Sequence, residues 1–200
     1  MAKTEGNLAL KPIIKSEYEL RTEQAIDHIE ALHTGDDGFI TVFKKFRNNT
    51  HFSRHYKIEE LKEKIISKEI NLDVNTYISV NSFYIPKRGA EYVRQFRSFF
   101  LDIDNHDKEK MSDFDYNSLL YNLREDYFDK KIPNPCIVVK TGRGIQLYFL
   151  MENAPKRFVS TWTSLENLII EEMKNFDVLG YKIDTNAKDG IIEDGEFTLK

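Results

Sequence analysis

Arg97-Ser98-Phe99-Phe100-Leu101-Asp102-Ile103-Asp104-Asn105 is an apolar, β-prone run that ends in two aspartates at i and i+2. Side chains of a strand alternate between its faces, so Asp102 and Asp104 point the same way, roughly 6–7 Å apart. Leu101 and Ile103 then point the other way, into a core. Two carboxylates on one strand face repel each other unless a cation, a proton or an arginine stands between them. A divalent metal resolves that conflict, and Mg²⁺ is commonly held by one or two carboxylates together with substrate phosphates. The plainer alternative is a strand that runs into a loop, with Asp104 and Asn105 as turn residues.

Upstream of this run, residues 22–33 have helical spacing, with Ile26, Ile29 and Leu32 on one side and Thr22 as N-cap. Residues 39–46 are β-prone, 57–68 space Ile58, Leu61, Ile65 and Ile66 as a short amphipathic helix, and 76–80 form a strand before a loop over 81–89. Downstream, Ser112 is placed to cap a helix over 112–128, with Asp113 and Asp115 in its first turn. Residues 136–140 and 145–151 predict two strands of a hairpin around Thr141-Gly142-Arg143-Gly144. A long helix is expected over 156–176, burying Phe158, Trp162, Leu165, Ile169 and Met173, and 181–183 is a short strand leading to Asp184. Strands and helices intermix, which predicts an α/β (α+β) domain with a mixed or antiparallel sheet and packed helices. Residues 1–70 are expected to form an arm and a helical, basic segment packed on a core of residues 71–200.

The 200 residues, 40% of them hydrophobic, suffice for one domain with a substantial core, and 31% charged residues suit a soluble surface. No apolar run approaches the ~18–20 residues that span a bilayer, and the N-terminus lacks an apolar signal core, so a cytoplasmic protein without membrane contact is expected. The net charge of −4 does not advertise nucleic-acid binding, but basic residues outnumber acidic ones in the first half and the reverse holds in the second. The single cysteine, Cys136, forms no internal disulfide and is expected to be a small buried apolar residue. The histidines lack zinc-site spacing, and no Gly-x-x-x-x-Gly-Lys-Ser/Thr loop or Gly-x-Ser-x-Gly elbow occurs.

Three further segments carry candidate chemistry. In the hairpin, Gly142 and Gly144 flank Arg143 and are expected to free the backbone for positive φ and to expose amide groups, so that the turn, Arg143 and Lys140 hold a triphosphate. Gln146 and Tyr148 share a strand face beyond it; an ordinary hairpin tip is the plain alternative. Ile183-Asp184 is a second strand that ends in an aspartate, and three carboxylates at strand ends suit two-metal phosphoryl or nucleotidyl transfer; a turn or helix cap is the alternative. Over residues 43–57, Lys44, Lys45, Arg47 and Arg54 interleave with Phe43, Phe46, Phe52 and Tyr56, as in grips on single strands. A solvated basic face over core aromatics explains the same pattern. Lys87, Arg88, Arg94 and Arg97 form a second cationic group that could meet phosphates.

The ordered set Asn75 to Phe83, Phe99 to Asp104, Thr141 to Phe149 and Ile183 to Asp189 resembles the archaeo-eukaryotic primase superfamily, in particular the primase-like replication proteins of bacterial plasmids, phages and mobile elements. The resemblance implies a sheet of RNA-recognition-like type and a metal-dependent nucleotidyltransferase that primes or extends on a nucleic-acid template. It implies that Asp102, Asp104 and Asp184 hold Mg²⁺ or Mn²⁺ and that Asp189 fits the spacing of the third motif. Lys140, Thr141, Gly142, Arg143, Gly144 and Gln146 would meet the nucleoside triphosphate, and Lys44, Lys45, Arg47, Arg54, Lys87 and Arg88 the nucleic acid. Gln146 stands where the family usually has histidine; it hydrogen-bonds but does not become cationic. The family's later arginines and its Arg-x-Pro-Gly-Thr-like segment have no counterpart in Gly190 to Lys200, as expected of a truncated or repurposed domain. The alternative reading is a catalytically inactive module of this fold that binds nucleic acid, a replication protein or a host protein.

Overall fold

A computed structural model describes residues 15–46, 50–72 and 75–185, apart from the side chains of Lys45, His51, Asn75 and Ala90. Arg47 and Asp189, both singled out above, lie outside the described residues. The first helix, α1 (Glu17–His33), starts one turn and more before the expected Thr22, because Ser16 and Glu19 form a capping box: the Ser16 hydroxyl accepts from the Glu19 amide and the Glu19 carboxylate accepts from the Ser16 amide. β1 (Ile40–Lys45) and β2 (His51–Tyr56) form an antiparallel hairpin, and α2 (Ile58–Ile66) follows. β3 (Asn75–Ile78) pairs with the other side of β1, giving a three-stranded sheet of order β2-β1-β3. This sheet therefore draws on residues on both sides of position 70.

The larger sheet has six strands, all its pairings antiparallel. β4 (Ser82–Phe83) lies within the stretch expected to be loop and pairs with β5 (Val93–Asp104). Next come α3 (Asp113–Asp126), β6 (Ile137–Lys140), β7 (Gly144–Pro155), α4 (Val159–Met173), β8 (Asp177–Val178) and β9 (Tyr181–Ile183). The main order is β6-β7-β5-β9-β8. This is the expected mixed α/β domain with antiparallel sheets. Among the described residues no helix is long and apolar enough to cross a membrane.

Alternation along β5 separates two cores. Leu101 and Ile103 join Leu119 and Leu123 of α3, Ile170 and Met173 of α4, and Ile145 and Leu147 of β7. Phe100 and Tyr148, on the opposite face, join Ile29 and Leu32 of α1, Leu61 and Ile65 of α2, and Val42 and Ile78 of the small sheet. Trp162 of α4 stacks on Phe96 and Phe99 with centroids 4.9 and 5.8 Å away, and its indole N–H donates to the Ser98 carbonyl at 3.2 Å.

Two expectations about burial fail. Phe158 and Leu165 are exposed: Phe158 lies in the 3₁₀ turn before α4, and the buried residues of the helix are Trp162, Glu166, Ile170 and Met173. Cys136 is exposed: it precedes β6, an edge strand, and only its backbone amide engages, donating to Tyr148 at 2.8 Å. Arg94 and Arg97, expected to be able to meet phosphates, are both engaged by Asp36. That buried carboxylate accepts from Arg94 at 2.7 Å, Gln95 at 2.7 Å, the Gly38 amide at 2.7 Å and the Ser82 hydroxyl, with Arg97 at 3.6 Å. These donors hold its carboxyl below the usual range against the opposing effect of burial.

Candidate functional site

The antiparallel register decides what lies beside the paired aspartates. Asp102 is opposite Gln146 of β7, and Asp104 is opposite Gly144. On the other side Ile103 is opposite Ile183 and Asp104 opposite Lys182, and the Asp184 amide donates to the Asp102 carbonyl at 2.9 Å. Asp184, Asp102 and Gln146 thus form a row across three neighbouring strands, on one sheet face, with Asp104 two residues along β5. Opposed residues of adjacent strands have Cβ atoms about 4.5–5.5 Å apart.

This crowding has an electrostatic signature. Burial, then the charges of Asp104 and Asp184, push the Asp102 carboxyl up to about 7, against a hydrogen bond from Gln146 and the Arg143 charge. Gln146 is buried, and its amide is fixed at both ends: its oxygen accepts from the Tyr148 hydroxyl at 3.0 Å and its side chain hydrogen-bonds Asp102. The ring of His28 on α1 meets Tyr148 edge-on, centroids 4.9 Å apart. A buried chain therefore runs from α1 through Tyr148 and Gln146 to Asp102. Sequence placed Gln146 and Tyr148 on one face, but the cross-strand partner that gives the glutamine its task follows from register.

Asp104 is held differently. Its carboxylate accepts from the Asn105 amide at 2.7 Å and lies 3.1 Å from Arg143 Nη2 and 3.5 Å from His106 Nδ1. Lys140 reaches Asp113, at the start of α3, at 2.6 Å. Arg143 is therefore beside the row, whereas Lys140, opposite Ile145, lies on the other sheet face with α3; both are part-exposed and engaged with carboxylates.

The hairpin tip departs from expectation. Neither Gly142 nor Gly144 has positive φ. The Thr141 amide donates to the Gly144 carbonyl and the Gly144 amide to the Thr141 hydroxyl, both at 2.9 Å, so these two N–H groups are used inside the turn. Gly144 is required for a different reason: a Cβ there would lie 1.9 Å from the Ile103 carbonyl oxygen of β5. The Gly142 and Arg143 carbonyls accept from Met111 at 2.8 Å and Asn105 at 3.4 Å, tying the tip to the loop after β5.

Asn105 is a positioning residue that sequence left as a turn former. Its amide donates to the Leu179 carbonyl at 3.3 Å and its oxygen accepts from the Asp107 amide at 3.0 Å. Leu179 and Gly180 are the two loop residues of the β8–β9 hairpin, and both have positive φ (55° and 80°), as a type I′ turn demands. Asn105 thus fixes the hairpin that presents Asp184.

The donor set is all oxygen, which suits a hard cation such as Mg²⁺ or Mn²⁺, and the raised Asp102 carboxyl marks a place short of positive charge. Among the described residues, however, no group of three or more His, Cys, Asp or Glu side chains is gathered tightly enough to hold a metal as it stands. Of the other predicted contacts, Lys44 and Arg54 lie on the small sheet, Lys87 donates to the Tyr92 hydroxyl at 2.7 Å, and Arg88 lies over the Phe43 ring, 5.9 Å from its centroid.

No family model matches the chain. No solved structure matches it either. The chain is 29% identical over 151 residues to a replication protein of Clostridium perfringens, an alignment that covers 75% of this chain and 34% of that protein. The chain therefore spans about a third of the length of the curated relative it matches.

Proposed function

We propose that this chain is a primase-like nucleotidyltransferase domain acting in the replication of a plasmid, phage or mobile element. Similarity to a replication protein supports the role in replication. The row of Asp184, Asp102 and Gln146 beside Asp104 and Arg143 is the observation that carries the chemistry. Asp102, Asp104 and Asp184 would hold Mg²⁺ or Mn²⁺, and such ions lower the pKa of an attacking hydroxyl and offset charge on the transferred phosphorus. Arg143, half-exposed on Asp104, would turn to the triphosphate, and Lys140 would have to leave Asp113 on the far face to join it. Gln146 keeps Asp102 oriented through Tyr148 rather than meeting phosphate itself. The partners are a nucleic-acid template and a nucleoside triphosphate.

Primer extension with labelled nucleotide and Mn²⁺ tests this reading. Wild type is expected to incorporate label and Asp102→Ala to lose incorporation by at least about 10²-fold while keeping its fold. Undiminished extension by Asp102→Ala would remove the aspartates from the chemistry. A second reading, an inactive module of the same fold that binds nucleic acid or a host protein, is favoured by the Arg143–Asp104 ion pair, which occupies the site with the protein's own cation. Binding of template with no incorporation under any divalent metal would select it.

A further inference from the structure

The face of the small sheet that carries Val42, Lys44, Arg54 and Tyr56 opens into a cleft of about 320 Å³. Register explains its lining: Val42 is opposite Arg54 and Lys44 opposite Phe52, so these four side chains share one face. Phe46 extends the row, and Glu69 and Ile70 close the side beyond α2. None of the aspartates of the row lines this cleft, so it is a separate place on the molecule.

Its chemistry is that of an aromatic shelf with unneutralised cations. Phe46 and Phe52 are 42% and 39% exposed, a cost for large apolar rings that no described partner removes. The Arg54 guanidinium lies over the Phe52 ring, 4.8 Å from its centroid. Lys44 is half-buried and donates to the Asn71 carbonyl at 3.4 Å, and burial lowers the pKa of its amine. Neither Lys44 nor Arg54 has a carboxylate partner among the described residues. The one acid in the wall, Glu69, is engaged by Lys64 at 2.8 Å. The cleft is therefore net cationic beside two open rings. An apolar peptide would leave both cations unmatched, and a free phosphate would leave both rings bare.

We propose that this cleft holds a nucleotide of a single-stranded nucleic acid, its base stacked on Phe46 and Phe52 and its flanking phosphates on Lys44 and Arg54. The volume is at the lower end of small-ligand clefts, which suits one nucleotide. This goes beyond nucleotidyl transfer, because binding here needs none of the aspartates. It gives the chain a hold on the strand that is independent of the reaction.

Fluorescence anisotropy with labelled oligo(dT) of about fifteen nucleotides tests it, with oligo(U) and a duplex of equal length alongside. Phe52→Ala is expected to weaken single-strand binding at least about fivefold and Phe52→Tyr to keep it, since stacking rather than bulk is the contact. Lys44→Ala is expected to weaken binding and to reduce the salt slope by about one. Should Phe52→Ala lose its fold by circular dichroism, Arg54→Ala, at an exposed position, carries the same expectation. Duplex bound as tightly as single strand, polyglutamate competing as well as oligo(dT), or folded variants that bind like wild type would each overturn the proposal. The two readings fail separately. Asp102→Asn that binds oligo(dT) normally but does not extend a primer supports both, whereas wild type that binds through Phe52 yet never incorporates nucleotide sinks the transferase alone.

Discussion

At Asp102 the protein carries a charge it is poorly built to keep. A carboxyl raised from its ordinary range to about 7 binds its proton more tightly in the folded than in the unfolded chain. Folded stability from this group is full below about pH 4 and is lost as pH rises through about 7, by up to about 4 kcal/mol. Asp102→Asn removes the loss. The expected result is a variant more stable than wild type at about pH 8 in EDTA, by about 1–3 kcal/mol, and little changed near pH 4. Urea denaturation at the two pH values checks it. Mn²⁺ is expected to raise the melting temperature of wild type at the higher pH and to leave Asp102→Asn unmoved. Equal shifts in both proteins would place the ion elsewhere. Tyr148→Phe frees the Gln146 oxygen from its donor; the expected cost is about 1–2 kcal/mol in stability, with primer extension falling through kcat rather than KM.

Among the elements, β5 and β7 form the spine on which the site is assembled, and Gly144 lets them meet at the end where chemistry is proposed. A methyl group there runs into backbone, not into a side chain that can turn aside. Gly144→Ala is expected to cost about 3 kcal/mol in urea denaturation and to disturb the Asp104–Arg143 contact. Gly142→Ala, at ordinary φ, is expected to cost less than about 1 kcal/mol. The same elements explain what sequence could and could not reveal. The alternation Leu101, Asp102, Ile103, Asp104 assigns faces by itself, and Ser112 announces α3 because its capping box is local. β2 went unread because neither face is continuously apolar: Arg54 separates Phe52 from Tyr56 on one, and the other carries Ser53 and His55. The row of Asp184, Asp102 and Gln146 joins three segments distant in the chain, and no local pattern encodes their register. The glycines of the hairpin were assigned to turn geometry, whereas Gly144 answers to a neighbouring strand.

Across the whole molecule, the N-terminal elements are fastened to the large sheet by buried polar groups as well as by apolar packing. Asp36 links the loop after α1 to β4 and β5, and its removal leaves Arg97 without a carboxylate and Arg94 with only the exposed Asp37. Asp36→Ala is expected to destabilise by about 3–5 kcal/mol, read from the urea midpoint. His28 and His33 are buried, which holds both imidazoles down at about 4, and His33 Nε2 donates to the Ser79 carbonyl at 2.9 Å. A depressed folded pKa contributes stability above about pH 6.5 that is lost as pH falls through about 4, here up to about 3 kcal/mol for each ring. With the opposite slope of Asp102 between about pH 4 and 7, maximum stability is expected at about pH 6.5, and Asp102→Asn should steepen the rise below that pH and remove the decline above it.

The β8–β9 hairpin hangs on β5 by two register pairs, and Leu179 adopts a conformation that side chains with a Cβ avoid. A one-residue slide of so short a strand would turn its aspartate to the far side of the sheet. The Asn105 amide on the Leu179 carbonyl opposes the slide, together with the buried side chains of Tyr181 and Ile183. The position of the third acid thus depends in part on a neutral side chain outside the row, and Asn105→Ala is expected to loosen the constellation with every aspartate still in the chain.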